Sequence, residues 1–433
     1  MKKTFFLFVI IFSIFSTAQA QYSYQPTEEN LIARQEFQDS KFGIFIHWGI
    51  YSMMGDGEWI LHNKNLNHKE YETLASAFFP SKFNAAEWVE IVKAAGAKYI
   101  CITSRHHDGF SLFHTKHSPY NVVDATPFGR DILKELADEC HKQDIKLHFY
   151  YSHLDWGRDD YHPLGRTGRG TGRTTHGEWK TYYEFMNNQL TELLTSYGNI
   201  GAIWFDGVWD QDANPDFDWG LEKQYKLIHR LQPSCLVANN HHVAPYPGED
   251  IQIFERDLPG ENKAGLSGQE VSRLPLETCE TMNKTWGYRM HDTAYKSTKT
   301  LIHYLVNAAG KNANLLLNVG PRPNGEFPDK AVEHLKEMGE WLNEFGETIY
   351  STRAELVPPR DWGVCTHKNN KLYIHILNLK DNALFIPLKY KKVKRAVYYK
   401  SKQSVKYQQD ENGVFITLKE IPTEIDCILE LDI

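Results

Sequence analysis

Between residues 21 and about 350, short apolar runs alternate along the chain with longer amphipathic segments. Runs of this length are typical of buried strands, whereas the amphipathic segments repeat with the period of a helix. Strands that alternate so regularly with helices must be parallel, with the helices outside, because neighbouring parallel strands need a long crossover connection. Seven apolar runs are clear, at residues 41–46, 98–103, 146–151, 202–205, 235–238, 251–254 and 314–319.

This pattern predicts an α/β fold with a (β/α)8-like barrel over residues 21–350. An ideal barrel of this kind has eight strands. We expect the eighth between Glu277 and Tyr288, where the pattern is irregular.

The character of the sequence changes after residue 350. Pro358 and Pro359 mark the change, and short segments of alternating hydrophobicity follow, separated by turn residues such as those at 410–413. We therefore expect a small C-terminal antiparallel β-sandwich over residues 351–433.

The first twenty residues have the features of a secretory signal peptide. Lys2 and Lys3 precede an apolar run at residues 5–15, and Ala18-Gln19-Ala20 forms a small-residue cleavage site. The run is too short for a membrane-spanning helix. We expect residues 1–20 to be a signal peptide that directs the chain to the periplasm or the medium, without stable membrane insertion.

Charge and cysteine usage exclude some classes of function. The formal net charge is −7 and no basic face is evident, so we expect no nucleic-acid partner. The six cysteines are widely spaced and form no C-x-x-C pair, which argues against zinc and redox motifs. Cys101 and Cys235 lie in strand-like runs, and we expect them to be buried thiols. Nothing in the sequence indicates the oligomeric state.

Polar and aromatic side chains gather where the predicted strands end. The carboxyl ends of barrel strands carry the catalytic residues, and a neutral sugar needs both hydrogen-bonding groups and flat aromatic walls. Adjacent His106 and His107 should point to opposite faces of a strand, so joint metal ligation is awkward, and we expect no metal and no cofactor. The strand-end residues are His47, Trp48, His106, His107, Asp108, Tyr151, His153, Asp155, Trp156, Trp204 and Asp206.

Asp206 ends a buried strand, which suits a catalytic carboxylate, although a helix cap is the alternative. A retaining glycosidase needs a second carboxyl about 5–5.5 Å away. Glu255 closes a predicted strand in the same way as Asp206, so position favours it. The other candidates are Glu249, Asp250, Asp257, Glu277 and Glu280.

Several stretches together resemble the α-L-fucosidases of glycoside hydrolase family 29. None is specific alone, but the combination runs across the whole predicted barrel, and the trailing sandwich is similar to the family's layout. The matching stretches are residues 42–49, 57–59, 104–110, 149–152, 204–207, 285–288 and 314–321.

The resemblance implies a role for individual residues. Asp206 matches the family nucleophile, Glu255 is our choice for the acid/base, and Glu277 is expected to support the pocket. Apolar surroundings should raise the pKa of Glu255. An arginine found near the sugar in some relatives has no counterpart in residues 239–242. The resemblance further implies that the sugar is bound by His47, Glu58, Trp59, His106, His107, Tyr151, Trp204 and Trp286.

The implied activity is that of a retaining exo-α-L-fucosidase that releases terminal α-L-fucose from fucosylated glycans through a covalent intermediate on Asp206. Two alternatives remain: a retaining glycosidase of the same fold that acts on a related sugar such as a galactoside, and a secreted sugar-binding protein that has lost catalysis. Two long polar loops, residues 157–177 and 260–272, should border the active site. We expect Arg166, Arg169 and Arg173 of the first loop to be solvated.

Overall fold

The computed structural model describes residues 24–389 and 391–433. The predicted signal peptide lies outside these residues. The central sheet has eight parallel strands: β1 (Phe42–Ile46), β2 (Tyr99–Arg105), β3 (Lys146–Ser152), β4 (Ala202–Asp206), β5 (Leu236–Asn240), β6 (Gln252–Glu255), β7 (Leu276–Thr281) and β8 (Ala313–Val319).

The strands curve into a nearly closed barrel in the order β5-β4-β3-β2-β1-β8-β7-β6. At the seam between β5 and β6, a single parallel bridge joins Ala238 to Ile251. β7 is the eighth strand predicted in the irregular stretch, and it begins one residue before the expected interval. The predicted (β/α)8-like barrel is therefore confirmed.

Nine α-helices lie within the described residues, and their ends follow sequence signals. The helix α5 begins after Asp131, whose carboxylate accepts a hydrogen bond from the amide of Lys134, as an N-cap does. Its buried residues recur at helical spacing, which turns one face towards the barrel. The helices are α1 (Glu28–Ser40), α2 (Ile60–Asn63), α3 (His68–Glu72), α4 (Ala85–Ala94), α5 (Ile132–Gln143), α6 (Trp179–Ser196), α7 (Leu221–Leu231), α8 (Thr298–Ala309) and α9 (Asp329–Phe345).

Alternate side chains of each strand fill the barrel, while the others pack under the helices. This alternation produces an inner apolar cluster that is separate from the larger outer one. The inner cluster includes Phe45, Tyr99, Cys101, Tyr150, Trp204, Ala238, Cys279 and Leu316. All six cysteines lie within the described residues and are buried and unpaired, as predicted for Cys101 and Cys235.

Two antiparallel sheets follow the barrel, in agreement with the predicted sandwich. One has four strands in the order β12-β15-β10-β9, and the other has three in the order β11-β14-β13. Across residues 24–389 and 391–433, no helix has the length and apolar character needed to cross a bilayer. The strands are β9 (Gly363–Lys368), β10 (Lys371–Ile376), β11 (Ala383–Ile386), β12 (Arg395–Tyr398), β13 (Lys406–Gln409), β14 (Val414–Thr417) and β15 (Cys427–Asp432).

Candidate active site

A cavity of about 240 Å³ opens at the carboxyl ends of the barrel strands. Its size suits a single sugar ring, and aromatic and polar groups are mixed in its wall, as is usual for small-molecule sites. The residues that line it are Phe45, His47, Trp59, His106, Tyr150, Arg166, Trp204, Asp206, Trp209, Asn240, His242, Glu255, Leu266, Cys279 and Trp286.

Asp206, at the end of β4, is held by donors on both carboxylate oxygens. Its Oδ1 accepts hydrogen bonds from the amide of Gly207 (2.9 Å) and from Nε1 of Trp209 (2.8 Å). Its Oδ2 accepts one from the hydroxyl of Tyr150 (2.9 Å), and Nε2 of His107 lies 3.5 Å away. Gly207 adopts a φ of 107°, which lets the next turn fold back over the carboxylate. The carboxylate is thus fixed in position.

Glu255, at the end of β6, lies close to Asp206 across the seam of the barrel. Nδ2 of Asn240 donates to Oε2 of Glu255 (2.8 Å) and lies 3.4 Å from Oδ1 of Asp206. Because both oxygens contact the same nitrogen, Oδ1 of Asp206 and Oε2 of Glu255 are at most about 6 Å apart. Nε2 of His242 also lies 3.1 Å from Oε2 of Glu255. One sugar can therefore contact both carboxyl groups.

The two carboxyl groups differ in acidity, in the direction opposite to the expectation from sequence. Burial, and then the charge of Glu255, raise the pKa of Asp206 to about 6. Burial acts to raise the pKa of Glu255 as well, but the hydrogen bond and charge of His242, the hydrogen bond from Asn240 and the charge of Arg256 outweigh it, and the pKa is lowered. The prediction of a raised pKa for Glu255 is wrong for the free site, because it left out these partners.

Two histidines in the cavity are neutral because they are buried. Burial lowers the pKa of His47 to about 3 and that of His106 well below its usual range. Nδ1 of His47 lies 2.7 Å from Oδ1 of Asn318, so that nitrogen donates and Nε2 can accept. Nδ1 of His106 is buried without a hydrogen-bond partner among the described residues. Neutral imidazoles suit sugar hydroxyls, since each can donate and accept.

Aromatic rings form the other walls of the cavity, among them those of Trp59, Trp204 and Trp286. Phe45 packs edge-on against both Trp204 and Trp286, with ring centroids 5.0 and 6.0 Å apart. Trp59 stacks on Trp209 at 5.6 Å. Phe45, Trp204 and Trp286 together form an apolar corner next to the polar groups.

Two of the predicted sugar-binding residues lie just behind the wall. Oε2 of Glu58 accepts a hydrogen bond from the amide of Gly287 (2.7 Å), which positions the segment that carries Trp286. Nδ1 of His107 lies 2.7 Å from Oγ of Ser152, so its other nitrogen faces Asp206. Both residues are buried, and the structure places them where they hold lining residues in position.

The structure corrects the prediction for Tyr151. Its hydroxyl donates to Oε1 of Gln189 in α6 (2.7 Å), and the guanidinium of Arg105 lies 5.4 Å from its ring centroid, so it packs outside the barrel wall. The adjacent Tyr150 points into the cavity and reaches Asp206. The sequence Tyr150-Tyr151 offers two tyrosines on opposite faces of β3, and the motif alone assigned the wrong one.

Glu277, the other acid/base candidate, is buried beneath the cavity. Its Oε1 accepts from Nε1 of Trp204 (2.8 Å) and its Oε2 from the hydroxyl of Tyr99 (2.7 Å). Burial raises its pKa to about 7, which these two hydrogen bonds partly oppose. It is not among the residues that line the cavity, and it holds the indole of Trp204 from below.

Both long loops border the cavity, as predicted, the first through Arg166 and the second through Leu266. Four lining residues, Arg166, Trp209, Asn240 and His242, are not among the site residues predicted from the sequence. For Asn240 a signal was available, since it ends β5 in the same way as Asp206 ends β4. Arg166 was expected to be solvated; it is exposed, and its backbone is fixed to the turn after β4.

Comparisons with known proteins agree with this geometry. The sequence model of the family described as Alpha-L-fucosidase matches residues 11–347. The plasma alpha-L-fucosidase of Rattus norvegicus is 31% identical over 394 residues, which cover 83% of this chain and 80% of that protein.

Two solved structures are similar over almost the whole chain. Alpha-L-fucosidase isoenzyme 1 from Paenibacillus thiaminolyticus has a TM-score of 0.80 and 31% identity, and the match covers 93% of this chain and 99% of the other. A trapped covalent intermediate of an alpha-L-fucosidase GH29 from Bacteroides thetaiotaomicron, in complex with 2-fluoro-fucosyl fluoride, has a TM-score of 0.80 and 25% identity, and covers 95% and 97% of the two chains. The chain therefore belongs to the α-L-fucosidase family of glycoside hydrolases.

Proposed function

We propose that the protein is a retaining exo-α-L-fucosidase that releases terminal α-L-fucose from fucosylated glycans through a covalent fucosyl-enzyme on Asp206. The observation that carries the proposal is the bridge from Asn240 to Asp206 and Glu255, which limits the joined oxygens to about 6 Å. Retaining enzymes hold their carboxyl groups about 5–5.5 Å apart, whereas inverting enzymes need about 6.5–9.5 Å for an intervening water. The trapped covalent intermediate of a relative supports the same mechanism.

In the first step, the carboxylate of Asp206 attacks the anomeric carbon while Glu255 delivers a proton to the leaving oxygen. The bond from the anomeric carbon to the leaving oxygen breaks, and an ester bond to Asp206 forms. We assign Oδ2 as the attacking atom, because Oδ1 accepts from Gly207, Trp209 and Asn240. Oδ2 accepts from Tyr150, and Nε2 of His107 lies 3.5 Å from it.

Glu255 must gain a proton before this step, although its pKa is lowered in the free site. A bound fucoside excludes water from the partly buried Glu255, and desolvation raises the pKa of a carboxyl group. The nearby charge of Asp206 acts in the same direction while that residue is ionised.

In the second step, water attacks the anomeric carbon and gives its proton to Glu255, and the ester bond to Asp206 breaks. Esterification has removed the charge of Asp206, so the pKa of Glu255 falls and the residue becomes a base. Fucose leaves with its configuration retained.

Fucose is favoured over galactose by the apolar corner of Phe45, Trp204 and Trp286. A C6 methyl group can pack against these rings, whereas a C6 hydroxyl would lose hydrogen bonds to water there. The single N–H group of Trp204 already donates to Glu277, so this residue cannot donate a hydrogen bond to a C6 hydroxyl. Hydrolysis of an aryl fucoside should therefore be much faster than that of the matching aryl galactoside; equal rates would contradict the choice of sugar.

The stereochemistry is tested by following the anomer released from an aryl α-L-fucoside by NMR. We expect α-L-fucose first, and loss of turnover in Asp206→Ala. Initial release of the β-anomer would contradict the retaining mechanism.

Azide should restore turnover in Glu255→Ala, and rescue of Glu277→Ala instead would reassign the acid/base. Binding of fucose without any product would favour a sugar-binding protein that has lost catalysis.

We also propose that the chain is exported, on the basis of Lys2, Lys3, the apolar run at residues 5–15 and the small residues that follow. The mass of the protein recovered from the periplasm or medium of an expressing bacterium tests this. The expected mature chain begins at Gln21, and an uncleaved product confined to the cytoplasm would contradict it.

A further inference from the structure

Two arginines at the rim of the cavity form no ion pair within the described part of the chain, although the charge of Arg256 helps to lower the pKa of Glu255. The guanidinium of Arg166 lies 4.9 Å from the ring centroid of Trp209, and that of Arg256 lies 5.1 Å from the ring centroid of Trp286. Trp209 and Trp286 both line the cavity. Arg256 donates to the carbonyl of Lys284 (3.1 Å), which neutralises none of its charge. Each guanidinium therefore rests beside an indole and keeps donors free for a ligand.

Arg166 is presented by a loop that is tied to the turn after the nucleophile. The amide of Arg166 donates to the carbonyl of Asp210 (2.9 Å). Oδ1 of Asp210 accepts from the amide and hydroxyl of Thr167 (2.8 and 2.7 Å), and Oδ2 accepts from the hydroxyl of Tyr161 (2.6 Å). Gly165 packs against Asp210 so closely that a Cβ there would lie 2.1 Å from Oδ2. With its backbone fixed in this way, Arg166 loses less entropy when it binds a ligand.

Arg166 lines the cavity and Arg256 rests against Trp286, which also lines it, so both are beside the place expected for the sugar next to the fucose. In a single-sugar pocket the second sugar occupies the exposed rim, and the leaving oxygen is next to Glu255. Arg256 follows Glu255 directly in the chain, and Arg166 is an exposed lining residue. The acidic residues among those that line the cavity are Asp206 and Glu255, and both are used in the reaction.

The net charge of the whole protein would not attract an anion to these two arginines. Its formal net charge is −7, so an anion is repelled overall and attraction has to be local. A guanidinium presents its donors as a planar fork that matches the paired oxygens of a carboxylate or a sulfate.

We propose that Arg166 and Arg256 form a subsite for an anionic group, a sulfate ester or a carboxylate, on the sugar next to the fucose. The inference rests on the proposed fucosidase activity and adds a substrate class to it: acidic fucosylated glycans.

The test compares three α-L-fucosyl disaccharides that differ in the second sugar, which is unsubstituted, sulfated or a uronic acid. We expect kcat/KM for at least one anionic substrate to exceed that for the neutral one by about three- to tenfold at low salt. The ratio should fall towards one in Arg166→Gln and in Arg256→Gln, and also as ionic strength rises. Arg166→Lys keeps the positive charge but loses the planar donors of the guanidinium, so its ratio should lie between those of the wild type and Arg166→Gln.

Arg230→Gln is the matched control, because Arg230 is exposed on α7 and its loss changes the net charge equally. Its ratio should equal that of the wild type. Preference for the sulfated or for the carboxylated substrate identifies the natural anion, and either supports the subsite. A wild-type ratio of one or less, or a ratio unchanged in both arginine variants or equally reduced in Arg230→Gln, overturns the inference and leaves the fucosidase activity standing. Failure to cleave any of the three disaccharides or an aryl fucoside overturns both.

Discussion

The two adjacent tyrosines of β3 provide a test of which one lines the cavity, because a single hydroxyl group can be removed from either of them. Tyr150→Phe removes the hydroxyl that donates to Oδ2 of Asp206, and Tyr151→Phe removes the one that donates to Gln189. The two variants change the same group in neighbouring residues, so each is the control for the other.

The size of the effect follows from the hydrogen bond to Asp206. A hydrogen bond to an ionised group contributes about 1.5–3 kcal/mol, and about 1.4 kcal/mol corresponds to one pKa unit. Tyr150 helps to hold down the pKa of Asp206, which burial has raised to about 6. Its loss should raise that pKa by about one to two units.

The assay is the pH dependence of kcat with an aryl fucoside at saturating concentration, because Glu255 gains its proton only in the substrate complex. The nucleophilic role proposed for Asp206 requires its ionised form, so kcat should be lost as pH falls through the pKa of that group, which burial raises to about 6. In Tyr150→Phe this acidic limb should move to higher pH. In Tyr151→Phe it should stay in place, while the free energy of unfolding decreases by about 1–3 kcal/mol because the buried Gln189 loses a donor. An acidic limb that moves in Tyr151→Phe and not in Tyr150→Phe would refute the assignment.

Three further changes probe other parts of the site. In His242→Gln, Glu255 loses a partner that lowers its pKa, so the basic limb of kcat should move to higher pH in the same assay. Asp210→Ala should lower the free energy of unfolding, measured with urea, by about 2–5 kcal/mol, because it leaves the buried donors of Thr167 and its neighbours without an acceptor. The folded-state pKa of Glu277 is raised from 4.5 to about 7, so its contribution to stability is lost as pH rises through that interval. Urea unfolding of Glu277→Gln should therefore show a smaller decrease in stability between those pH values than the wild type, and an equal decrease would contradict the raised pKa.

The course of the barrel could be predicted because all its strands except β7 carry a local hydrophobic signal. The apolar runs are short and local, and seven of the eight strands stand out from their neighbours. β7 did not, because it carries polar residues on both faces: Glu277 points inward to Trp204, and Thr278 bonds the carbonyl of Asp257. A strand whose polar side chains are satisfied by particular hydrogen-bond partners does not show the apolar pattern from which strands are predicted.

Site residues could be predicted from the sequence where they end a strand. Their hydrogen-bond partners on other strands and loops could not. Asp206 and Glu255 could be placed at one edge of the barrel from their positions alone. The direction of each side chain needs the register of the strand, which is why Tyr151 was chosen in place of Tyr150. The acidity of Glu255 depends on His242, which a loop brings to 3.1 Å, and no local pattern contains that distance.

The seam between β5 and β6 has a consequence for how the enzyme responds to heat. Asn240 and Glu255 stand on opposite sides of the only join in the barrel that lacks a continuous ladder of hydrogen bonds within the described strands. A small breathing motion there would lengthen the span between the two carboxylates while the remaining seven joins stayed intact. The proposed mechanism needs both carboxylates within reach of one sugar, so activity should be the first property lost on warming, ahead of any loss of secondary structure.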